Sequence, residues 1–230
     1  MKHHALFPTI VSGCEINLTP ETKDLYMRTL VKRFEKYGFS DESTGDVDLH
    51  LIPELQSLYD SIIEKVQEHF NGLLVDPNDF DFYITKSWMN VVRNKETPLH
   101  SHPDAHFSFS YYLNIPDDYT QNFACVIDDH PSDPYPGFIK FNRFDQSLEN
   151  CTEVVFENKE GEILVFPSHL THKTIITEDY DSAESDDSVK SLQDLYHRRV
   201  CIAGDVMITH KEKVSKSIGL QPVKNWKKFK

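Results

Sequence analysis

From about Asp81 onward the chain is a succession of short runs rich in β-branched and aromatic residues, at 82–84, 88–92, 107–115, 123–127, 137–141, 152–156, 162–166, 172–176 and 199–208. Proline, glycine, asparagine and aspartate separate most of them. Strands this short and this closely spaced build a sandwich or barrel rather than a βαβ sheet, which would need helical runs between its strands. Two helical signals come first. Thr19-Pro20-Glu21 reads as an N-cap followed by proline at the first helical position, where its missing N–H is harmless. Leu25, Leu30, Val31 and Phe34 then fall on roughly one face, with Gly38 as the stop. A second helix is expected from near Pro53, with Leu55, Leu58, Ile62, Val66 and Phe70 at three- and four-residue steps and Gly72 near its end. Helices ahead of a long series of strands predict a mainly β chain, a jelly-roll barrel with its N-terminal helices packed outside. The expected division is a single domain with a helical part over 1–80, a jelly-roll core over 81–210 and a basic tail over 211–230.

The 230 residues suit one such domain, and 39% hydrophobic content supplies a core. No run approaches the roughly 18–20 apolar residues that span a bilayer, and the start of the chain carries no signal-peptide pattern. A cytoplasmic protein with no membrane partner is expected. The formal charge of −13 argues against broad wrapping of nucleic acid. The tail is the exception, with Lys211, Lys213, Lys216, Lys224, Lys227, Lys228 and Lys230 against Glu212. A charge run of this kind reads first as a solvated face, and second as a dock for an acidic partner or nucleic acid. Residues 178–187 are acidic without apolar period and predict a mobile excursion, followed by a short helix within 188–197. Cys14, Cys125, Cys151 and Cys201 show no CxxC spacing, so neither a disulfide framework nor a zinc ribbon is expected; Cys125 and Cys201 read as small buried hydrophobes.

Histidine carries the functional signal. Most of the twelve histidines have no partner at ligand spacing. The exception is Leu99-His100-Ser101-His102-Pro103-Asp104-Ala105-His106. In an extended segment residues two apart point to one side, so His100 and His102, or His102 and Asp104, can aim at a single point. A further ligand is expected from a later strand. The run from Gly161 through Phe166-Pro167-Ser168 to His172 provides a glycine turn, an apolar strand, a proline that ends it, and then histidine. Two histidines and a carboxylate, with the other positions open, suit non-haem Fe(II) and leave room for a bidentate co-substrate and dioxygen. Downstream, Arg198-Arg199 leads into an apolar strand. Arg199 adjoins the apolar run, and a guanidinium there is costly to bury without an anion, which a dicarboxylate would supply bidentately.

Together Trp88-Met89-Asn90-Val91, His100-Ser101-His102-Pro103, Ser108 through Tyr112-Leu113, Gly161 through Ser168, His172 and Arg199 through Asp205 resemble the 2-oxoglutarate–Fe(II) oxygenases, specifically the small prolyl-hydroxylase-like group of bacteria and tailed phages. The resemblance implies a double-stranded β-helix (jelly-roll, cupin-like) core with Fe(II) at one mouth. It also implies 2-oxoglutarate and O2 as co-substrates, the far carboxylate being held by Arg199 with help from a hydroxyl such as Tyr112 or Ser108. Asn90 would line the same site. The implied metal set is open at one position. His102-Pro103-Asp104 matches the usual His-x-Asp motif, and a carboxylate would balance part of the iron's charge, which favours Asp104. Related small oxygenases resemble His-x-His here, which would select His100. His102 and His172 belong to either set. The implied activity is hydroxylation of a protein or peptide side chain such as proline, with a small metabolite or nucleobase as other substrates. Two rival readings are a cupin-like metalloenzyme that does not use 2-oxoglutarate and a non-catalytic jelly-roll binding or structural module. Neither oligomeric state nor substrate is readable.

Overall fold

The computed structural model describes residues 10–37, 47–73, 75–92, 97, 99–116, 121–126, 153–176, 192–211 and 222–228. It is mainly β, with two antiparallel sheets and two long helices. The order is β1 (Ser12–Glu15), α1 (Pro20–Tyr37), α2 (Gln56–Gly72), β2 (Phe80–Val92), β3 (Phe107–Asn114), β4 (Gln121–Val126), β5 (Glu153–Phe156), β6 (Glu162–Pro167), β7 (His172–Ile176), α3 (Leu192–Tyr196) and β8 (Arg199–His210). The larger sheet runs β1-β6-β3-β8-β2 and the smaller β5-β4-β7. This is the mainly β, jelly-roll architecture the strand pattern predicts, with the helices on the outside of the larger sheet.

The helices form where capping and periodicity place them. Thr19 Oγ1 accepts from the Thr22 N–H (3.2 Å), satisfying one of the donors left open at the start of α1. The buried face of α1 carries Tyr26, Met27 and Leu30, whereas Leu25, expected on that face, is 48% exposed. The apolar stripe is centred about one residue further along than the leucine spacing suggests, because Tyr26 and Met27 fill the groove instead. Tyr26 also reaches Ser57 on the neighbouring helix (2.6 Å). A 3-10 turn over Pro53–Leu55 leads into α2, which buries Leu58, Tyr59, Ile62, Val66 and Phe70. Each such side chain contributes roughly 1.5–3 kcal/mol on full burial. No helix among the described residues is long and apolar enough to cross a membrane.

β1 is the strand with no advance signal. Its sequence, Ser-Gly-Cys-Glu, has neither alternation nor β-branched residues, and its place comes from antiparallel pairing with β6, Ser12 opposite Val165 through Glu15 opposite Glu162. Gly161 makes the turn before β6 with φ of 81°, a conformation glycine adopts without strain. Its N–H donates to Tyr112 O and its carbonyl accepts from Ile16 N, both at 2.8 Å.

The runs at 82–84 and 88–92 are one strand. β2 pairs with β8 throughout, but the register shifts between Ile84 and Lys86, where a residue is inserted without a partner. A bulge reverses which side chains face each side of a sheet. Before it, Phe80, Phe82 and Ile84 pack on the helical core; after it, Met89 and Val91 do. Lys86, Trp88 and Asn90 are thereby turned to the opposite face. That phase change is why the apolar pattern broke where it did.

The larger sheet is consequently buried on both sides. Phe107, Phe109, Tyr111, Leu113, Ile163, Val165, Val200, Ile202 and Val206 pack on the helices. Tyr112, Leu164, Phe166 and Cys201 form a second, smaller cluster on the inner face. All of β3 is buried. The strand expected at 137–141, the acidic excursion at 178–187 and most of the basic tail lie outside the described residues.

Candidate metal centre

The segment after β2 returns beside β7 and sets His100 against His172. His100 and His172 exchange both backbone hydrogen bonds, His100 N to His172 O at 3.1 Å and His172 N to His100 O at 2.9 Å. Thr97 and Thr174 repeat the clamp through side chains, each backbone N–H donating to the other's Oγ1 at 3.0 and 2.8 Å. The next turn is fixed by the end of β6. His102 N donates to Ser168 O (2.7 Å), Ser168 N to His106 O (3.1 Å), and the Ser168 hydroxyl to Ala105 O. Proline at 167 therefore ends the strand where serine and histidine can lock the segment bearing His102.

The three imidazoles of His100, His102 and His172 converge, each offering a nitrogen within 4.8 Å of the others. Their ring centroids lie 5.2 Å (His100–His102), 4.4 Å (His100–His172) and 5.2 Å (His102–His172) apart. Two of the rings have their tautomer set from behind. His172 Nδ1 donates to Leu170 O (2.8 Å), and His102 Nδ1 donates to Asp205 Oδ1 (2.8 Å), which assigns the ligand role to Nε2 in both. His102 Nε2 is buried and has no hydrogen-bond partner among the described residues. A buried nitrogen in that state is costly unless something coordinates it, and a metal ion would. Burial pushes the His172 pKa down to about 4, so its ring is neutral and able to ligate near neutral pH. The donor set fits a divalent transition metal with a face left open.

Asp104 is exposed and is not among the converging groups. His106 is turned elsewhere, its Nδ1 accepting from Ile208 N (3.1 Å), and His169 is exposed.

Behind the triad runs a cavity lined by Trp88, Asn90, Ser110, Tyr112, Phe166 and Arg199 together with the three histidines, enclosing about 430 Å³ including its open mouth. The strand register explains this wall. Ser108, Ser110 and Tyr112 of β3 stand opposite Asp205, Ala203 and Cys201 of β8, all on the inner face, and Arg199 is the next inward residue of β8. Arg199 is 2% exposed, with its guanidinium 6.0 Å from the centre of the Tyr112 ring. Asn90 and Ser108, named with Tyr112 from the sequence, line the same cavity. Cys201 is buried beside them, and burial raises its thiol pKa. Trp88 stacks on His102 (5.3 Å, 21°) and Phe166 meets His172 edge-on (4.8 Å, 64°).

Asp205 has no role in the sequence reading and a central place in the structure. It is fully buried, accepting from His102 Nδ1 and from the Ser108 hydroxyl (2.7 Å), with Lys86 Nζ 3.0 Å from its other oxygen. Burial alone would raise its pKa, but those hydrogen bonds outweigh it and hold the carboxyl below its ordinary value. Alternation could have found it: positions 199, 201, 203 and 205 share a face of β8, so a strand that sends Arg199 inward sends Asp205 inward too.

Comparison with known proteins agrees with this geometry. Residues 86–184 match the family model described as "Putative 2OG-Fe(II) oxygenase". The structure is similar to SnoK, a non-haem α-ketoglutarate-dependent carbocyclase of nogalamycin biosynthesis, at 12% identity and a TM-score of 0.54, covering 94% of this chain and 89% of that one. It is similar to HygX from Streptomyces hygroscopicus, solved with nickel and 2-oxoglutarate bound, at 12% identity and a TM-score of 0.52, covering 86% and 83%. At these identities the likeness is one of fold. A 2OG-Fe(II) oxygenase-family oxidoreductase from Burkholderia pseudomallei aligns over 55% of this chain and 45% of its own length, at 14% identity and a TM-score of 0.34. No curated protein matches the chain.

Proposed function

We propose that His100, His102 and His172 hold Fe(II), that Arg199 with Tyr112 anchors the far carboxylate of 2-oxoglutarate, and that the chain hydroxylates a protein or peptide side chain such as proline. The observation that carries this is the single cavity in which three converging imidazoles and a buried arginine share one wall. His100 takes the third position over Asp104 because its ring lies with the other two, while Asp104 faces solvent. The substrate class rests on the sequence resemblance alone. The protein would work as one domain in the cytoplasm, the host's if the chain is viral.

With Fe(II) and 2-oxoglutarate bound, the site supplies oxidative chemistry in which 2-oxoglutarate, O2 and a C–H bond become succinate, CO2 and a C–OH group. The chain's own residues bind and orient. Arg199 fixes one end of the dicarboxylate through a charge-assisted contact, which aims the ketoacid end at the metal. Trp88 and Phe166 pack against the ligating rings, fixing their planes and excluding water from the cavity floor. No side chain is required as a general base.

Succinate production from 2-oxoglutarate in the presence of Fe(II), compared among wild type, His172→Ala and Arg199→Ala, tests the assignment. Wild-type turnover with both variants silent at low 2-oxoglutarate supports it. An anaerobic titration separates the cupin-like reading: iron bound with no visible charge-transfer band on adding 2-oxoglutarate would remove the co-substrate from the scheme. Metal content unchanged in His172→Ala would instead leave a binding or structural module. Hydroxylation of proline-containing peptides, read by a mass gain of one oxygen, tests the substrate class.

A further inference from the structure

We propose that Asp205 is a positioning residue for the metal: through a charge-assisted hydrogen bond, one step beyond the ligands, it locks the tautomer and rotation of the His102 ring. This rests on the reading of His102 as a ligand. Asp205 is 0% exposed, and its Oδ1 takes the His102 Nδ1–H at 2.8 Å on the side of the ring away from Nε2.

The carboxylate is itself immobilised. Ser108 donates to the same oxygen at 2.7 Å, Lys86 Nζ stands 3.0 Å from Oδ2, and the Asp205 backbone carbonyl accepts from Thr85 Oγ1 at 3.3 Å. Trp88, stacked on His102, holds the ring plane while Asp205 sets its rotation. A carboxylate bonded to the remote N–H of a ligating histidine makes that histidine a stronger donor and fixes its tautomer; losing such a partner lowers metal affinity about 10–100-fold. Asp104 is the carboxylate nearest in sequence, and Asp205 is the one among the described residues that bonds to a histidine of the triad.

Co(II) is the probe, since its visible absorption reports ligand geometry without turnover. Its affinity is measured by titration for wild type, Asp205→Asn, Asp205→Ala, Ser108→Ala and His102→Ala, with thermal melts to establish folding. Asn keeps an acceptor for the ring N–H but not the charge, so about 10-fold weaker binding is expected for Asp205→Asn and roughly 100-fold for Asp205→Ala. Ser108→Ala, which loosens the carboxylate without removing it, is expected to weaken binding about 2–3-fold. In proton NMR of the Co(II) protein, the exchangeable hyperfine-shifted resonance of His102 Nδ1–H should move in Asp205→Asn and vanish by exchange in Asp205→Ala. Wild-type affinity and an unmoved resonance in folded Asp205→Asn overturn the proposal. If His102→Ala also binds Co(II) like wild type, it is the ligand assignment that has failed. If His102→Ala loses binding while the Asp205 variants keep it, the ligand stands and Asp205 has no part. Should Asp205→Ala not fold, Asp205→Asn and Ser108→Ala decide the matter.

Discussion

The two faces of the larger sheet are made from alternate residues of the same strands, yet they follow different rules. Toward the helices β8 presents Val200, Ile202, Gly204 and Val206, and β3 presents Phe107, Phe109, Tyr111 and Leu113. Toward the cavity the same strands present Arg199, Asp205, Ser108, Ser110 and Tyr112. The outer face is stabilised by apolar burial without much directional demand. The inner face sets polar groups among Leu164, Phe166 and Cys201, and buried groups such as Asp205 and Ser108 are tolerated there because they are bonded to one another. A single backbone thus separates the source of stability from the source of chemistry, and variants should sort by the parity of their position.

The largest effect belongs to the inner face. His172→Ala should remove the metal and lower succinate formation by more than about 1000-fold, with a melting temperature near that of metal-free wild type. Second, on the outer face, Phe109→Ala should cost about 3–5 kcal/mol in a denaturant titration while leaving the KM for 2-oxoglutarate unchanged. A shift in KM there would break the separation. Arg199→Met should raise the KM for 2-oxoglutarate roughly 100-fold through the loss of a charge-assisted pair, with Co(II) affinity retained. Next comes pH. His172 has a folded pKa of about 4, below the ordinary 6.5, so the unfolded chain binds more protons between those values and stability falls as pH drops through that window. Between pH 7 and 5 the metal-free protein should lose about 2 kcal/mol from this residue, and bound metal should suppress the loss. Burial of His69 and His106 shifts them in the same direction. Last, at Gly204 an added Cβ would lie 2.6 Å from Phe109 Cζ and 2.8 Å from Lys86 O. Gly204→Ala should therefore destabilise by about 1–3 kcal/mol, because the Phe109 ring and the paired β2 backbone at Lys86 must both shift.

Much of this division was legible in the sequence, and its gaps have physical causes. Alternation and turn residues located most of the strands, because a sheet buried on one face writes its period into the chain. β1 left no mark because its four residues carry no period of their own, and the partners that hold it, His69 for Ser12 and the core for Cys14, lie far along the chain. The Leu25 face was misjudged because spacing does not reveal which residues a neighbouring helix will accept. At the site, His100, His102, His172, Arg199 and Tyr112 are proposed from residue type, because metal and anion chemistry demand those types near such strands, and the structure gathers them around one cavity. The proposal of His100 over Asp104 rests on a loop conformation, fixed by Ser168 and by backbone pairing with His172, that local spacing does not encode. Asp205 escaped because its partner lies 103 positions away.

The bulge at Ile84–Lys86 gives β2 something like a reading frame. Upstream of it even-numbered residues belong to the core, and downstream odd-numbered ones do, so the inserted residue acts as a frameshift that the fold has kept. Removing Thr85 would restore one frame along the whole strand and transpose Trp88 and Asn90 with Met89 and Val91. The cavity would gain two apolar side chains and the helices would face an indole and an amide. In β2, a change of length by one residue is therefore a change of meaning, and natural or engineered indels there should be tolerated only in pairs.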